Sequence, residues 1–352
     1  MNIHDILQQL VDQKGSDVHI VSGTYPTLRV DGALLPVESA PLLNKDTAAS
    51  LILPIMTDRQ QEFVKEHLEI DFAYQFKDQG RFRVNVYQQQ GSMSASLRLI
   101  PSKIKSIEDL NLPPVLHEFA KFKQGLVLMT GPTGEGKSTS LAAMIDEINT
   151  TRAENIVTIE DPIEFVYEPK KSIISQRELN NDTKDWTVAL RSVLREDPDV
   201  VLVGEMRDYE TIAAAITVAE TGHLVFATLH TNSASQTIDR IIDVFPAAQQ
   251  SQIRQQLSSV IKAVVSQRLL PMVSGGRVVA CEIMLATSAV RNLIREAKTY
   301  QIDNVIQTAS ESGMMLMESN LYALVQRGAI SAQTAREYAV RTQEIDRLLG
   351  NV

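Results

Sequence analysis

Cysteine, cationic charge and long apolar runs are all scarce in this sequence. Its 352 residues include one cysteine, Cys281, so a single chain can form neither a disulfide framework nor a zinc ribbon, which fits a reducing cytosol. Lys and Arg number 34 against 43 Asp and Glu, a formal net charge of -9. Because nucleic-acid backbones attract clustered cations, this balance argues against a broad nucleic-acid-binding surface, and no direct nucleic-acid partner is expected.

Segments that could enter a membrane are also missing. No run of about 18 apolar residues occurs, and the first residues lack a basic stretch followed by an apolar core. We therefore expect a cytoplasmic protein without a transmembrane segment. Any association with the inner face of the cytoplasmic membrane would be peripheral and would depend on a partner.

What remains is the composition of an ordered chain with two domains. Apolar residues make up 44% and charged residues 22%, and the length exceeds that of most single hydrophobic cores. Residues 1–100 combine an amphipathic helix with short β-like runs, which predicts an α+β domain. A proline-marked linker is expected at residues 101–123. Apolar strands then alternate with helices over residues 124–288, which is typical of a largely parallel α/β sheet, and residues 289–352 are predicted to be helical.

The most specific motif is a phosphate-binding loop. It satisfies G-x-x-x-x-G-K-[ST] and lies between a predicted strand and a predicted helix, as this motif requires. Backbone N–H groups of such a loop surround phosphate oxygens, and the helix N-terminus adds positive potential. Lys137 is expected to reach the β- and γ-phosphates of ATP, and Ser138 to ligate Mg²⁺. The loop comprises Gly131, Pro132, Thr133, Gly134, Glu135, Gly136, Lys137, Ser138 and Thr139.

Acidic residues follow two predicted strands of the second domain. Ligands bind at the carboxyl ends of strands in open α/β sheets, so these acids are candidates for the site. Glu205 occupies the position at which a P-loop enzyme holds a carboxylate on the Mg²⁺ shell, directly or through water. Glu164 is our preferred residue to orient and deprotonate the attacking water, ahead of Glu205 or Glu160.

Two histidines and two arginines complete the candidate set. His223 precedes and His230 ends the same predicted strand, which suits sensing of the γ-phosphate or relay of hydrolysis to movement, although a single His near a strand is commonly structural. Arg83 and Arg98 lie on β-like segments of the first domain. Most arginines are exposed, but these two are our candidates for arginine fingers, because phosphoryl transfer needs positive charge at the developing transition state.

Several motifs together resemble those of the type IV pilus retraction ATPases, within the secretion and traffic ATPase superfamily. The loop is similar to its Walker A motif, and residues 200–208 are similar to its Walker B motif. Residues 158–165 resemble its Asp box and residues 221–231 its His box. Residues 189–198 resemble its conformation-coupling helix, and residues 16–20 the opening of its PAS-like N-terminal domain.

The resemblance implies a fold and an activity. The fold would be a PAS-like α+β domain, a RecA-like P-loop ATPase domain and a helical C-terminal tail. The protein would be an ATPase that forms a homohexameric ring, with ATP bound between the domains. The ring would act on an inner-membrane pilus platform protein and drive pilin disassembly, as in twitching motility.

Two features favour the retraction branch, whereas Glu135, Ala297 and residues 313–318 depart from the family pattern. Assembly and secretion members commonly carry additional N-terminal domains and a tetracysteine zinc site, whereas this chain begins at the PAS-like domain. Residues 289–296, AVRNLIRE, resemble the AIRNLIRE motif of retraction ATPases. Glu135, however, replaces the small Ser or Ala usual in this Walker A motif, and so places an acid beside the phosphates.

Three other functions are compatible with parts of the sequence. An assembly or secretion ATPase would share the same motifs but work in the opposite direction. A nucleotide-gated scaffold without useful turnover is favoured only by Glu135. A small-molecule kinase would explain the phosphate loop, but neither the first domain nor the tail.

Overall fold

Two units make up the computed structural model of this chain, residues 1–103 and residues 104–352. No helix among the described residues is both long and apolar enough to span a bilayer. The structure describes residues 2–30, 32–77, 80–100 and 104–350.

The described part of the first unit is an antiparallel sheet of six strands, in the order β3-β2-β1-β6-β5-β4, with three α-helices. The first helix buries Ile3, Ile6, Leu7 and Leu10, as their helical spacing predicts. The helices are α1 (Ile3–Asp12), α2 (Lys45–Ile52) and α3 (Asp58–His67); the strands are β1 (Asp17–Ile20), β2 (Thr27–Val30), β3 (Ala33–Pro36), β4 (Glu69–Phe76), β5 (Gly80–Gln89) and β6 (Ser92–Ile100).

The six-stranded sheet of the first unit packs one face on the apolar core, and its opposite face carries charged side chains that lie next to one another on neighbouring strands. Along β5, Phe82 and Val84 are buried, whereas Arg83 between them is exposed. Arg83 lies opposite Arg98 on β6, and Arg98 lies opposite Asp17 on β1. Alternation along the strands therefore gives this sheet one apolar face and one polar face.

The second unit is built on a sheet of seven strands within its described residues, in the order β13-β12-β7-β11-β10-β8-β9. All neighbours are parallel except β12 and β13. The strands are β7 (Gly125–Thr130), β8 (Asn155–Glu160), β9 (Ile173–Glu178), β10 (Val200–Val203), β11 (Leu224–Leu229), β12 (Ile261–Pro271) and β13 (Arg277–Leu285).

Helices cover both faces of this sheet. Successive residues of β7 point into two separate apolar clusters: Leu126 and Leu128 into one, Val127 and Met129 into the other. This arrangement explains why the parallel strands are continuous apolar runs. The helices of the unit up to the tail are α4 (Leu116–Lys121), α5 (Lys137–Thr151), α6 (Trp186–Val193), α7 (Tyr209–Glu220), α8 (Ala234–Asp243) and α9 (Ala247–Val260).

The expected linker at residues 101–123 differs from the observed division. Residues from 104 onward belong to the second unit, while residues 101–103 lie outside the described part. Leu116 and Phe119 of α4 are fully buried in the cluster that α5 also lines. Their apolar side chains make this segment part of the core of the second unit, and the two prolines lie just before α4.

The tail is helical, as predicted. Its described helices are α10 (Ser288–Arg295), α11 (Ile302–Thr308), α12 (Met317–Gln326), α13 (Ala332–Tyr338) and α14 (Thr342–Leu349). The last three pack against the far ends of β12 and β13, where Met317, Leu321 and Ile345 are buried with Leu270 and Ala280.

Candidate functional site: a phosphate loop and strand-end carboxylates

The phosphate loop connects β7 to α5, as the motif predicts. Lys137 is the first residue of α5, is only 8% exposed, and donates hydrogen bonds from Nζ to the carbonyl oxygens of Gly131 (2.6 Å) and Pro132 (2.8 Å). Burial lowers the pKa of Lys137, while the negative charges of Glu205, Glu164 and Glu135 oppose this shift. The ammonium is thus held inside the loop, with three carboxylates near enough to affect it.

Strand β12 lies directly beneath this loop. Gly131 has a φ of +137°, and a Cβ there would lie 2.4 Å from the carbonyl oxygen of Gln267, so only glycine fits. The Gln267 side chain donates to the Glu135 carbonyl oxygen (2.6 Å) and accepts from the Ser140 hydroxyl (2.8 Å). Gln267 therefore ties the loop to α5 and to the sheet.

The unusual Glu135 points toward β12. Its carboxylate accepts a hydrogen bond from the Leu269 backbone N–H and lies 3.5 Å from the Arg268 guanidinium. The Arg268 guanidinium also donates to Asn232, which follows β11, at 3.2 Å. The side chains of Glu135 and Arg268 are 14% and 19% exposed. A partly buried cation thus compensates the acid that the sequence places beside the phosphates.

Glu205 and His230 meet at the carboxyl ends of adjacent strands. β10 and β11 are parallel neighbours, so the residues that follow them lie at one edge of the sheet. His230 Nε2 lies 3.0 Å from Glu205 Oε1, and an Arg207 guanidinium nitrogen lies 2.7 Å from Glu205 Oε2. Burial would raise the pKa of Glu205, but Arg207 and then His230 hold it below its ordinary value. Glu205 is therefore a carboxylate at neutral pH.

Glu160 and Glu164 are four residues apart but have different environments. Glu160 is buried at the end of β8, where it accepts hydrogen bonds from the Thr158 hydroxyl (2.6 Å) and the Glu164 N–H (3.4 Å). Burial raises the pKa of Glu160 to about 7, so much of it is protonated near neutral pH. The Glu164 side chain is exposed. Of the two, Glu164 is better suited to accept a proton from water.

Comparison with known proteins agrees with this geometry. The family model described as "Type II/IV secretion system protein" matches residues 1–346. The chain belongs to this family. The match confirms the resemblance seen in the motifs, and family membership supports an ATPase.

Individual members of the type II/IV secretion family are similar over nearly the whole chain. The type IV pilus retraction ATPase PilT of Pseudomonas aeruginosa is 49% identical over 339 residues, covering 96% of this chain and 98% of the relative. A twitching motility protein of Neisseria gonorrhoeae is 47% identical, with 91% and 86% covered. A crystal structure of the pilus retraction motor PilT with bound ADP has a TM-score of 0.93, 44% identity and 99% coverage of both chains. The predicted fold class is thereby confirmed.

The donor set of this family member fits a magnesium ion that is held mainly by nucleotide phosphates. Within the described ranges, no group of three or more His, Cys, Asp or Glu side chains could hold a metal by itself. Mg²⁺ commonly uses one or two protein oxygens together with phosphate oxygens and water. Ser138 is the second residue of α5, and the Glu205 charge acts on the neighbouring Lys137, so the Ser138 hydroxyl and the Glu205 carboxylate both border the phosphate loop.

His223 does not join the site. Its carbonyl oxygen accepts from Gly125 at the first residue of β7, whereas the phosphate loop follows the last residue of β7. His223 Nδ1 lies 3.0 Å from the Val218 carbonyl oxygen. At about 3.3 Å per residue, the strand between the two histidines puts His223 roughly 20 Å from His230. In this chain His223 contacts the end of α7, and its predicted role in sensing or relaying hydrolysis stays a prediction.

Arg83 and Arg98 belong to the first unit. Arg98 Nε donates to Asp17 Oδ1 at 2.8 Å, yet 72% of the Arg98 side chain remains exposed. Arg83 beside it is also exposed. Their exposure leaves both guanidinium groups accessible, and their role as arginine fingers remains a prediction.

Sequence reasoning missed the two residues of β12 that contact the loop from below. Gln267 and Arg268 follow α9 without a turn signal and match no phosphate-binding motif. Strand β12 itself was not predicted, because its short apolar run at residues 263–265 lies between Lys262 and the polar residues 266–268.

Replacing Glu160 with Gln should change how stability depends on pH. With a pKa of about 7 in the folded state against 4.5 ordinarily, folded Glu160 keeps a proton that the unfolded chain releases between these values. The free energy of unfolding of the wild type therefore falls as pH rises through this window. Relative to the wild type, that of the variant should increase by about 3 kcal/mol between pH 4.5 and pH 8. Urea unfolding followed by the fluorescence of Trp186, the sole tryptophan, measures this. An equal difference at both pH values would contradict it.

Replacing Arg268 with Leu should weaken nucleotide binding through Glu135. The change leaves the Glu135 carboxylate uncompensated beside the bound phosphates, so affinity for ATP should fall about tenfold at low salt and less at high salt. Titration with a fluorescent ATP analogue measures the affinity. The control is the same change in a Glu135→Ser background, where the loss should be about twofold or less. Equal losses in both backgrounds would rule out the compensation.

Proposed function

We propose that this protein is an ATP-hydrolysing motor that powers type IV pilus retraction, and with it twitching motility. The observation that carries the proposal is the phosphate loop beside the Glu205–His230 pair at one edge of the sheet. Similarity over nearly the full chain to a pilus retraction ATPase and to a twitching motility protein supports the cellular role. ATP is the substrate, and ADP and phosphate are the products.

Each residue of the edge has a proposed role in hydrolysis. Lys137 leaves the carbonyl oxygens of its own loop to bind the β- and γ-phosphates, which are stronger acceptors for an ammonium. Ser138 and Glu205 would hold Mg²⁺, which would supply positive charge to offset that of the phosphates. Glu164 orients and deprotonates the attacking water. Its competitors are less suited, because Glu160 is buried and half-protonated near pH 7 and Glu205 is engaged by Arg207 and His230.

His230 is the proposed link between hydrolysis and movement. It contacts Glu205 at the phosphate edge, by which we mean the edge of the sheet that carries the phosphate loop, Glu205 and His230. It also begins the segment that leads into α8. A change in charge at the phosphates would alter the His230–Glu205 contact and so the start of that helix.

The working assembly proposed is a homohexameric ring in the cytoplasm, at the inner face of the membrane. Arg83 and Arg98 would act as arginine fingers, for which their exposure and adjacent positions are suitable. The ring would turn an inner-membrane platform protein and so drive pilin disassembly. The pilus assembly and secretion ATPases remain the alternative motors, and turnover alone does not separate the two directions.

The scaffold hypothesis loses its one supporting feature. It depended on Glu135 repelling phosphates, and in the folded chain this carboxylate is bonded to the Leu269 N–H and faces Arg268.

Single substitutions at the phosphate edge should remove or strongly lower ATP turnover. Measurements of nucleotide binding should then distinguish a residue that binds the phosphates from one that acts only in hydrolysis. Lys137→Ala should remove both binding and turnover, because it deletes the cation of the loop. Glu164→Gln should lower kcat by about 10²- to 10⁴-fold with binding intact, as expected for loss of a general base. Steady-state phosphate release and analogue binding, with the mass of the particle in solution, measure these outcomes.

A matched control lies in the same segment. Glu168 is exposed four residues after Glu164, and Glu168→Gln makes the same chemical change away from the strand ends. It should leave kcat unchanged. A wild-type protein that binds ATP as a monomer without turnover would replace the motor with the nucleotide-gated scaffold.

A further inference from the structure

A buried cluster of charge joins the C-terminal helices to the sheet. Arg341 lies between α13 and α14, and one of its guanidinium nitrogens, Nη1, is 2.8 Å from Glu282 and 2.9 Å from Glu318. The other two, Nη2 and Nε, are 2.7 Å and 2.9 Å from Asp303 of α11. Glu282 and Glu318 are fully buried. One arginine therefore compensates three acids, two of which have no access to water.

The two buried glutamates differ in what else they hold. The second oxygen of Glu282 accepts from the backbone N–H of Ala234 at 2.8 Å. The second oxygen of Glu318 accepts from the backbone N–H groups of Val340 (2.9 Å) and Arg341 (2.7 Å). Glu282 thus connects Arg341 to a different part of the unit, whereas Glu318 holds the tail to itself.

Ala234 is the first residue of α8, four residues after His230. The first N–H groups of a helix have no partner within it, so an acceptor placed there defines where the helix begins. The N-cap residue Ser233 receives the N–H of Gln236, which leaves that of Ala234 to Glu282. A carboxylate also interacts favourably with the positive end of the helix. Glu282 therefore sets the position of the segment that carries His230.

We propose that Glu282, held in place by Arg341, is a positioning residue for residues 230–233, and that it couples the C-terminal helices to the phosphate edge. Through it, a displacement of the tail changes the geometry of the His230–Glu205 contact. The catalytic consequence rests on the proposed ATPase function, whereas the positioning itself does not.

The test compares Glu282→Gln with Glu318→Gln. Both residues are fully buried, both bond the same Arg341 nitrogen, and both changes preserve shape. Because one end of a glutamine amide is a donor, Glu282→Gln keeps only one of the contacts to Arg341 and Ala234. A general loss of stability would affect both variants alike. A local effect on α8 is expected only from Glu282→Gln, because only Glu282 contacts α8.

Hydrogen exchange on the full-length protein gives the first measurement. Glu282→Gln should speed exchange in residues 230–237 by about tenfold, the scale of one lost hydrogen bond, and Glu318→Gln should speed it only in residues 338–346. Equal acceleration of residues 230–237 in both variants, or none in either, would overturn the proposal.

ATP turnover gives the second measurement. Glu282→Gln should lower kcat about tenfold, while KM for ATP should rise only about threefold or less, because residues 230–233 reach the phosphate loop only through the long contacts of Arg268 with Asn232 and Glu135. Glu318→Gln should keep kcat within about twofold of the wild type at equal folded fraction. A loss confined to KM, or shared by both variants, would overturn the coupling. A wild type without turnover would refute the motor, and hydrogen exchange would still decide the positioning.

Discussion

The common direction of four parallel strands is the constraint on which the rest of this structure depends. Strands β7, β8, β10 and β11 are neighbours in register, so all of them end at the same edge of the sheet. The phosphate loop, Glu205 and His230 each follow one of these strands, and Glu160 is the last residue of β8. Residues that are up to a hundred positions apart in the chain are brought together because their strands are parallel, and helices on both faces keep the strands buried.

The same constraint explains which parts of the site could be predicted. The phosphate loop is contiguous, so its motif identifies it without knowledge of the fold. Glu205 and His230 could be predicted as strand-end residues, but their mutual contact depends on β10 lying beside β11. His223 was chosen by similar reasoning but lies at the opposite end of its strand from the phosphate loop. A strand has two ends, and only its carboxyl end faces the phosphates.

Other features had no local signal in the sequence. Residues 104–123 contain two prolines and few periodic apolar positions, yet Leu116 and Phe119 complete the core beside α5. Gln267 and Arg268 become important only because β12 pairs with β7 and extends past it, beneath the loop. The Arg341 cluster unites residues from α11, α12, β13 and the connection between α13 and α14. Such contacts between distant residues are properties of the tertiary structure, and a single sequence does not contain them in readable form.

Charge is balanced locally at three places in the second unit of this acidic chain. Arg268 faces the unusual acid of the phosphate loop, Arg207 holds Glu205 ionised, and Arg341 compensates the buried acids of the tail. Acids near a triphosphate are costly unless cations offset them. This pairing makes a Walker A motif with a glutamate compatible with nucleotide binding, and it leaves Glu164 as the exposed carboxylate near Lys137.

The direction of the motor is the central claim, and the number of surface pili in a deletion strain tests it most directly. Cells that lack this protein should accumulate pili and lose twitching. Expression of the wild-type protein should return the pilus number to normal and restore twitching, while a Lys137→Ala variant present at equal level should do neither. Loss of pili on deletion would contradict retraction and would assign the same ATPase to pilus assembly.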